Sequence, residues 1–264
     1  MTPEDREHLE AARAAAKEAG RILMEGFGHR PRVYYKGRID LVTDIDRQSE
    51  ASIVSFLHRR FPEYAILSEE GHGYDGKGRV RWIVDPLDGT TNYTHGFPFF
   101  SVSIALEQEG RLRCGVVYDP LREEWFTAVR GEGATLNGEP IRISDTGELE
   151  QALLATGFPY DMKESPANNL DHFRNFSMRA QAVRRPGVAS IDLAYVAMGR
   201  LDGFWEFKLK AWDIAAGALL VTEAGGTVTD FGGDPVDIFR AEIVASNGHI
   251  HNAMLQVLAL APTS

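Results

Sequence analysis

The chain has 264 residues, 44% of them hydrophobic and 25% charged, and a formal net charge of −10. This is the balance of a soluble globular protein long enough to bury a large core. The negative field argues against nonspecific nucleic-acid binding and against anionic membranes, though a small phosphate ester needs only a local positive centre.

Cys114 is the only cysteine, so intrachain disulfides and thiolate metal clusters are excluded; it reads as a small buried strand residue. No run of about 18 apolar residues occurs, and the N-terminus is acidic and Ala-rich, unlike a leader. The expected location is cytoplasmic.

Residues 4 to about 27 read as a helix. Leu9, Ala12, Ala16, Ala19, Leu23 and Phe27 recur at three-and-four spacing, and Gly26 and Gly28 punctuate the end. A loop over 29–40 contains Pro31 and Gly37. Next comes DLVTDID, where Thr43 or Asp44 caps a helix carrying Ile45, Ile53, Val54, Phe56 and Leu57 and ending near Phe61–Pro62. Capping and the helix dipole account for acids at Asp44 and Asp46; a site role for one of them is the alternative.

AILSEEG (65–71) is a short strand that runs into Glu69 and Glu70. A Gly-rich polar loop leads to WIVDPLDGTTNY, the densest chemistry in the chain. The apolar run of Trp82, Ile83 and Val84 ends on Asp85, and Pro86, having no N–H, is expected to stop the ladder. Asp88 stands in the turn beyond, so the two carboxylates can converge. The N–H groups of Gly89, Thr90 and Thr91 then face outward as an anion site. Carboxylates beside an anion site repel it unless a divalent cation lies between, so the stretch reads as a hard-metal site facing a phosphate. The plain alternative is an Asp-Pro/Asp-Gly surface turn.

From Phe99 to Ser144 the pattern is antiparallel strand, with turns at Glu109–Gly110, Asp119–Pro120 and Asn137–Gly138. Residues 145–190 mix helix and loop: a turn over 157–161 and a helix over 168–182. Residues 190–200 form a helix with Ile191, Ala194, Tyr195 and Met198 on one side. Asp192 and Asp202 are expected to be exposed. LDGFWEF is a strand that buries Glu206 among aromatics, and such an acid needs a partner or a ligand. AWDIAAGALLVTEAGG is an apolar helix with Asp213 near its start, where a dipole-favoured acid is the plain reading. TVTD and EIVASN are strands, and a helix over about 251–260 follows. The eight histidines lack paired metal spacing, and there is no P-loop, G-x-G-x-x-G, G-x-S-x-G or internal repeat.

LSEEG, then WIVDPLDGTTNYTHGFPFFSVSIAL, then WDIAAGALLVTEAGG resemble the inositol monophosphatase family of Mg2+-dependent, lithium-sensitive sugar-phosphate phosphatases. KGRIDLVTDID, GFPY, IDLAYVAMGRLDGFWE and VASN extend the resemblance over almost the whole chain. It implies an α+β fold, a layered α-β-α-β-α sandwich formed by one domain. Its N-terminal half would cover about 1–145 and its C-terminal half about 146–264. The site would lie where the halves meet, and the protein would be a homodimer without membrane or nucleic-acid partners.

The resemblance also implies roles. Glu69, Asp85 and the Leu87 carbonyl would hold a first Mg2+. Asp85, Asp88 and Asp213 would hold a second, with a third ion reached from Glu69 through water. Thr90 and Asp46 would activate the attacking water. Gly89 and Thr90 N–H groups would hold the phosphate, Glu206 and Asp213 would bind substrate, and Gly187 to Ala189 would form a wall beside the polyol. Lys36 matches a family lysine on a loop near the metals. Thr91 after D-G-T, where adenosine-bisphosphate phosphatases carry Lys, points to the inositol branch. Val188 departs from a usual Ser or Thr. Fructose 1,6-bisphosphatase or nucleotide-bisphosphate phosphatase activity are alternatives within the superfamily. A protein-interaction role in a transcription complex is the alternative of another class.

Overall fold

The computed structural model describes residues 1–29, 33–35, 41–76, 78–240 and 242–260. Lys36 lies outside the described residues.

Helix α1 (Pro3–Gly26) begins at a reciprocal cap between Thr2 and Asp5 and buries an alanine stripe that includes Ala12, Ala16 and Ala19. A small antiparallel pair, β1 (Val33–Tyr35) and β2 (Leu41–Thr43), leads into α2 (Asp44–Arg60). Thr43 caps α2, and Asp46 returns the bond to the Thr43 N–H.

A seven-stranded mixed sheet follows. Its strands are β3 (Ala65–Ser68), β4 (Val80–Asp88), β5 (Ser101–Gln108), β6 (Arg111–Asp119), β7 (Glu124–Val129), β8 (Gly133–Leu136) and β9 (Glu139–Pro140), in sequential order. Only β3 and β4 pair parallel within it; α3 (Thr90–Thr94) interrupts the run between β4 and β5. Alternate β4 side chains serve opposite cores. Trp82 and Val84 pack with Leu23, Ile53 and Leu57, whereas Ile83 packs towards the middle of the molecule. Cys114 is buried in β6, and burial pushes its thiol to about 12.

The second mixed sheet runs β11 (Ala182–Arg184), β10 (Leu153–Thr156), β12 (Gly203–Phe207), β14 (Glu242–Ser246), β13 (Thr227–Thr229). Helices α5 (Ala189–Ala197) and α6 (Ala211–Glu223) lie between the sheets. Ile191, Leu193, Ile214 and Leu219 join Ile83, Val117 and Phe126 on one side and Phe204 and Ile243 on the other. Helices α4 (Leu170–Ser177) and α7 (His251–Leu258) cover the outer face, where Phe176 and Met254 pack on Trp205 and Val244. The layers therefore alternate helix, sheet, helix, sheet, helix, as the family resemblance implies.

Four expectations need correction. The ladder does not stop at Pro86: β4 continues through a bulge, and pairing resumes at Asp88 opposite Ser101. The helix over 168–182 is shorter, because Ala182 starts a strand that pairs parallel with β10, itself hidden in a stretch read as helix and loop. Asp202 is buried, since its carboxylate accepts the Leu153 N–H and the Ser144 hydroxyl, both at 2.6 Å. Asp192 is buried too, in the first turn of α5.

Candidate active site

The parallel pairing of β3 with β4 sets Ser68 opposite Val84, and the Glu69 N–H donates to the Val84 carbonyl at 3.3 Å. Glu69 thus ends up beside Asp85. Glu69, Asp85, Leu87, Asp88, Gly89 and Thr90 line one wall of a cavity of about 380 Å³; Glu206 and Asp213, from β12 and α6, line the other. An adjoining recess shares Asp88, Glu206 and Asp213 and adds Gly187 and Ala189. Asp46 lies behind Thr90, fully buried.

The chain around these side chains is tightly held. Asp85 Oδ1 accepts the Leu87 N–H at 3.0 Å, and Asp213 Oδ2 accepts the Lys210 N–H at 2.6 Å. Thr90 Oγ1 donates to Asp46 Oδ1 at 2.9 Å and lies 3.2 Å from the Leu87 carbonyl. Asp46 divides its work: Oδ2 takes the Thr43 N–H and hydroxyl, while Oδ1 takes Thr90. The capping and site readings of Asp46 are therefore compatible.

Gly89 precedes α3 with φ 98°, a conformation that favours glycine, and a Cβ there would stand 2.8 Å from Val188 Cγ2. Asn92 pins the turn by donating to the carbonyls of Phe99 and Pro186, each at 2.9 Å.

Burial dominates the electrostatics. It raises the Asp85 carboxyl well above its usual range, helped by the charges of Glu69, Asp88 and Asp213 and by a hydrogen bond with Glu69. Burial also raises Asp213, with Asp88 and Glu69 adding to it. Asp88 is pushed to about 6 by burial, against two bonds from Ser190 that favour the charged form. Glu206 is pushed to about 8 by burial and then by Asp88, while Arg185 pulls it down. Asp192 is raised by burial and by Glu206 and Asp88, and among the described residues its Oδ1 has no hydrogen-bond partner.

Among the described residues, no three acidic, histidine or cysteine side chains form a ready-made metal-holding group. The acids share a cavity without being drawn to a point. Their chemistry nevertheless fits a hard divalent cation. The donors are carboxylate and carbonyl oxygens, and the mutual repulsion that raises Asp85 and Asp213 is what a positive charge relieves.

Several residues of this arrangement were not legible beforehand. Ser190 holds Asp88 and shares a 2.7 Å hydrogen bond with the Ser101 hydroxyl, and Ser49 donates to the Pro86 carbonyl at 2.8 Å. Gly157 backs Glu206 so closely that a Cβ would stand 2.1 Å from its Oε1. Spacing carries no signal for these partners.

The model of the inositol monophosphatase family matches residues 4–261. The chain belongs to that family. Among similar proteins is the Nus factor SuhB of Pseudomonas aeruginosa, 46% identical over 259 residues, covering 95% of each chain. Another is the inositol-1-monophosphatase of Synechocystis, 45% identical over 257 residues, covering 96% of this chain and 89% of that one. Of solved structures, an inositol monophosphatase from Anabaena superposes with a TM-score of 0.89 at 42% identity, covering 97% of both chains. The extragenic suppressor protein suhB of Bartonella henselae gives 0.90 at 44%, covering 95% of this chain and 97% of that one. The fold is that of inositol monophosphatases, two mixed sheets flanked by helices. Among the described residues no helix is long and apolar enough to cross a membrane.

Proposed function

We propose that this inositol monophosphatase-family protein is a Mg2+-dependent phosphomonoesterase. It would hydrolyse myo-inositol monophosphate, and related sugar phosphates, to the alcohol and phosphate. One observation carries the reading: the Thr90–Asp46 hydroxyl–carboxylate pair opens onto a cavity shared by Glu69, Asp85, Asp88 and Asp213.

Glu69, Asp85, Asp88, Asp213 and the Leu87 carbonyl would hold two to three ions. When bound, divalent cations neutralise charge and lower the pKa of water at the site. The chain's own residues do the positioning. Thr90 Oγ1, with its proton committed to Asp46, offers lone pairs to a water and orients it. The N–H groups at Gly89 and Thr90, at the start of α3, would hold the phosphate. Glu206, with Gly187 and Ala189 beside it, offers a carboxyl to substrate hydroxyls. Mg2+ dependence, lithium inhibition, a cytoplasmic location and a homodimer belong to the same proposal.

The test is phosphate release from inositol 1-phosphate with and without Mg2+, beside fructose 1,6-bisphosphate and adenosine 3′,5′-bisphosphate. Mg2+-dependent preference for the inositol ester supports the reading. Preference for a bisphosphate keeps the chemistry and changes the substrate. Asp88→Asn should abolish turnover with the fold intact, and wild-type turnover by that variant overturns the proposed site.

Relatives that carry the name Nus factor favour a second reading, a protein-interaction role in a transcription complex. It predicts that Asp88→Asn still captures partners in a pull-down. Recovery of none counts against it.

A further inference from the structure

Helix α2 presents a polar stripe to the site side of the molecule. Asp46, Ser49 and Glu50 fall at i, i+3 and i+4, on one helix face, and all three are fully buried. Asp46 reaches Thr90 and Ser49 reaches the Pro86 carbonyl, so two of the three secure the β4–α3 turn. Glu50 reaches a different segment, the turn after β3.

Both Glu50 oxygens are engaged there. Oε2 accepts the Glu70 N–H at 2.7 Å, and Oε1 accepts the His72 N–H at 3.0 Å, with His72 Nδ1 2.6 Å from the same oxygen. Gly71, between the two donors, has φ 86°, which turns both N–H groups to one side. Glu69 is thereby bracketed. Its own N–H is tied to Val84 in β4, and the next N–H in the chain is tied to Glu50. A carboxylate buried among apolar side chains is costly unless it is paired. This one is spent on backbone groups whose position decides where the Glu69 side chain enters the cavity.

We propose that Glu50 is a positioning residue: it locks the 69–72 turn so that the Glu69 carboxylate is pre-set for a divalent cation. The role rests on the metal reading given above. Outer partners that orient a ligand without touching the metal typically change affinity by about 10–100-fold when removed. Glu50→Gln fills the same volume but turns an amide NH2 towards one of the two N–H donors. That donor loses its acceptor and the turn loosens.

The experiment is calorimetric titration of the full chain with Mg2+, and with Mn2+ as a second probe, without substrate. Amide hydrogen exchange over residues 66–74 and thermal melting accompany it. His72→Ala removes the ring contact and keeps both backbone donors. Leu57→Ala, in the apolar core under the same helix, supplies a matched loss of stability. Glu50→Gln should weaken Mg2+ binding by about tenfold or more and speed exchange over 66–74. His72→Ala and Leu57→Ala should stay within about twofold of wild type in metal affinity, on the same scale. Unchanged Mg2+ affinity in Glu50→Gln overturns the role, as does an equal loss in Leu57→Ala. Wild-type protein that shows no Mg2+ or Mn2+ binding instead overturns the metal reading, and this role with it.

Discussion

Ser190 donates twice to one oxygen of Asp88, through its N–H at 2.8 Å and its hydroxyl at 2.6 Å, across 102 residues of sequence. The contact joins the first turn of α5 to the bulged end of β4. It also fixes a carboxylate that burial alone would tend to neutralise. Ser190→Ala keeps the N–H bond but strips one bond from Asp88 and leaves the buried Ser101 hydroxyl without that partner. Losing buried hydrogen bonds of this kind costs about 1–3 kcal/mol. Denaturant melts should register that loss, and Mg2+-dependent phosphatase activity should fall by about tenfold or more. Full activity would remove Ser190 from any account of the site.

Thr90 and Asp46 offer a cleaner separation of chemistry from stability. Valine matches the shape of threonine, so Thr90→Val removes the hydroxyl and little packing. If Thr90 Oγ1 orients the attacking water, kcat should drop by about 10²-fold or more, the usual scale for a lost proton-handling group. KM for the phosphate ester should move little. Asp46→Asn should show a smaller loss of rate and a larger loss of stability, because Asp46 Oδ2 also caps α2. Steady-state kinetics paired with thermal melts of both variants reads the difference.

Gly157 tests the polyol side. A Cβ at this position would stand 2.1 Å from Glu206 Oε1 and 2.3 Å from its Cδ, so the carboxyl must swing away in Gly157→Ala. The loop cannot yield easily, since Asn169 holds the Gly157 carbonyl at 2.6 Å. KM for inositol 1-phosphate should rise about tenfold, the worth of roughly one lost hydrogen bond. KM for p-nitrophenyl phosphate, which has no hydroxyls for Glu206 to meet, should hold. A parallel rise for both esters would place the damage at the phosphate instead.

The layered fold was legible where periodicity is long and unmixed. The alanine stripe of α1, the hairpin turns at Glu109–Gly110 and Asn137–Gly138 and the apolar run of α6 each carry one pattern at one spacing. The short strands β10 and β11 were not legible, because three or four residues fit a helix turn as well as a strand, and the pairing of β10 with β12 and of β11 with β10 decides between them. At the site, the residues gathered at the ends of β3 and β4 could be read, since strand ends and turn residues announce themselves. Their supports could not be. Ser190, Ser101 and Gly157 act through contacts made far away in sequence, and nothing local distinguishes them. Asp192 and Asp202 show the same limit in reverse: each reads as a surface acid, yet folding buries both.

Glu206 gives the protein a pH dependence whose sign follows from its burial. Its folded-state pKa is about 8, raised by desolvation and by the charge of Asp88, against the ordinary 4.5 of an exposed glutamate. Below about pH 4.5 both states hold the proton and the group contributes nothing to the slope. Between the two values the unfolded chain releases its proton while the folded chain keeps it. The unfolded state then binds fewer protons, so stability falls as pH rises, and the loss is complete above the folded value. Glu206→Gln removes this titration while keeping size and shape. In metal-free protein the variant should therefore melt several degrees above wild type at pH 8 to 9, and the gap should close towards pH 4.5. Mg2+ should narrow the gap at high pH, because a cation near Asp88 offsets the repulsion that helps raise Glu206. A gap that persists unchanged at pH 4.5 would trace the gain to packing and remove the electrostatic explanation.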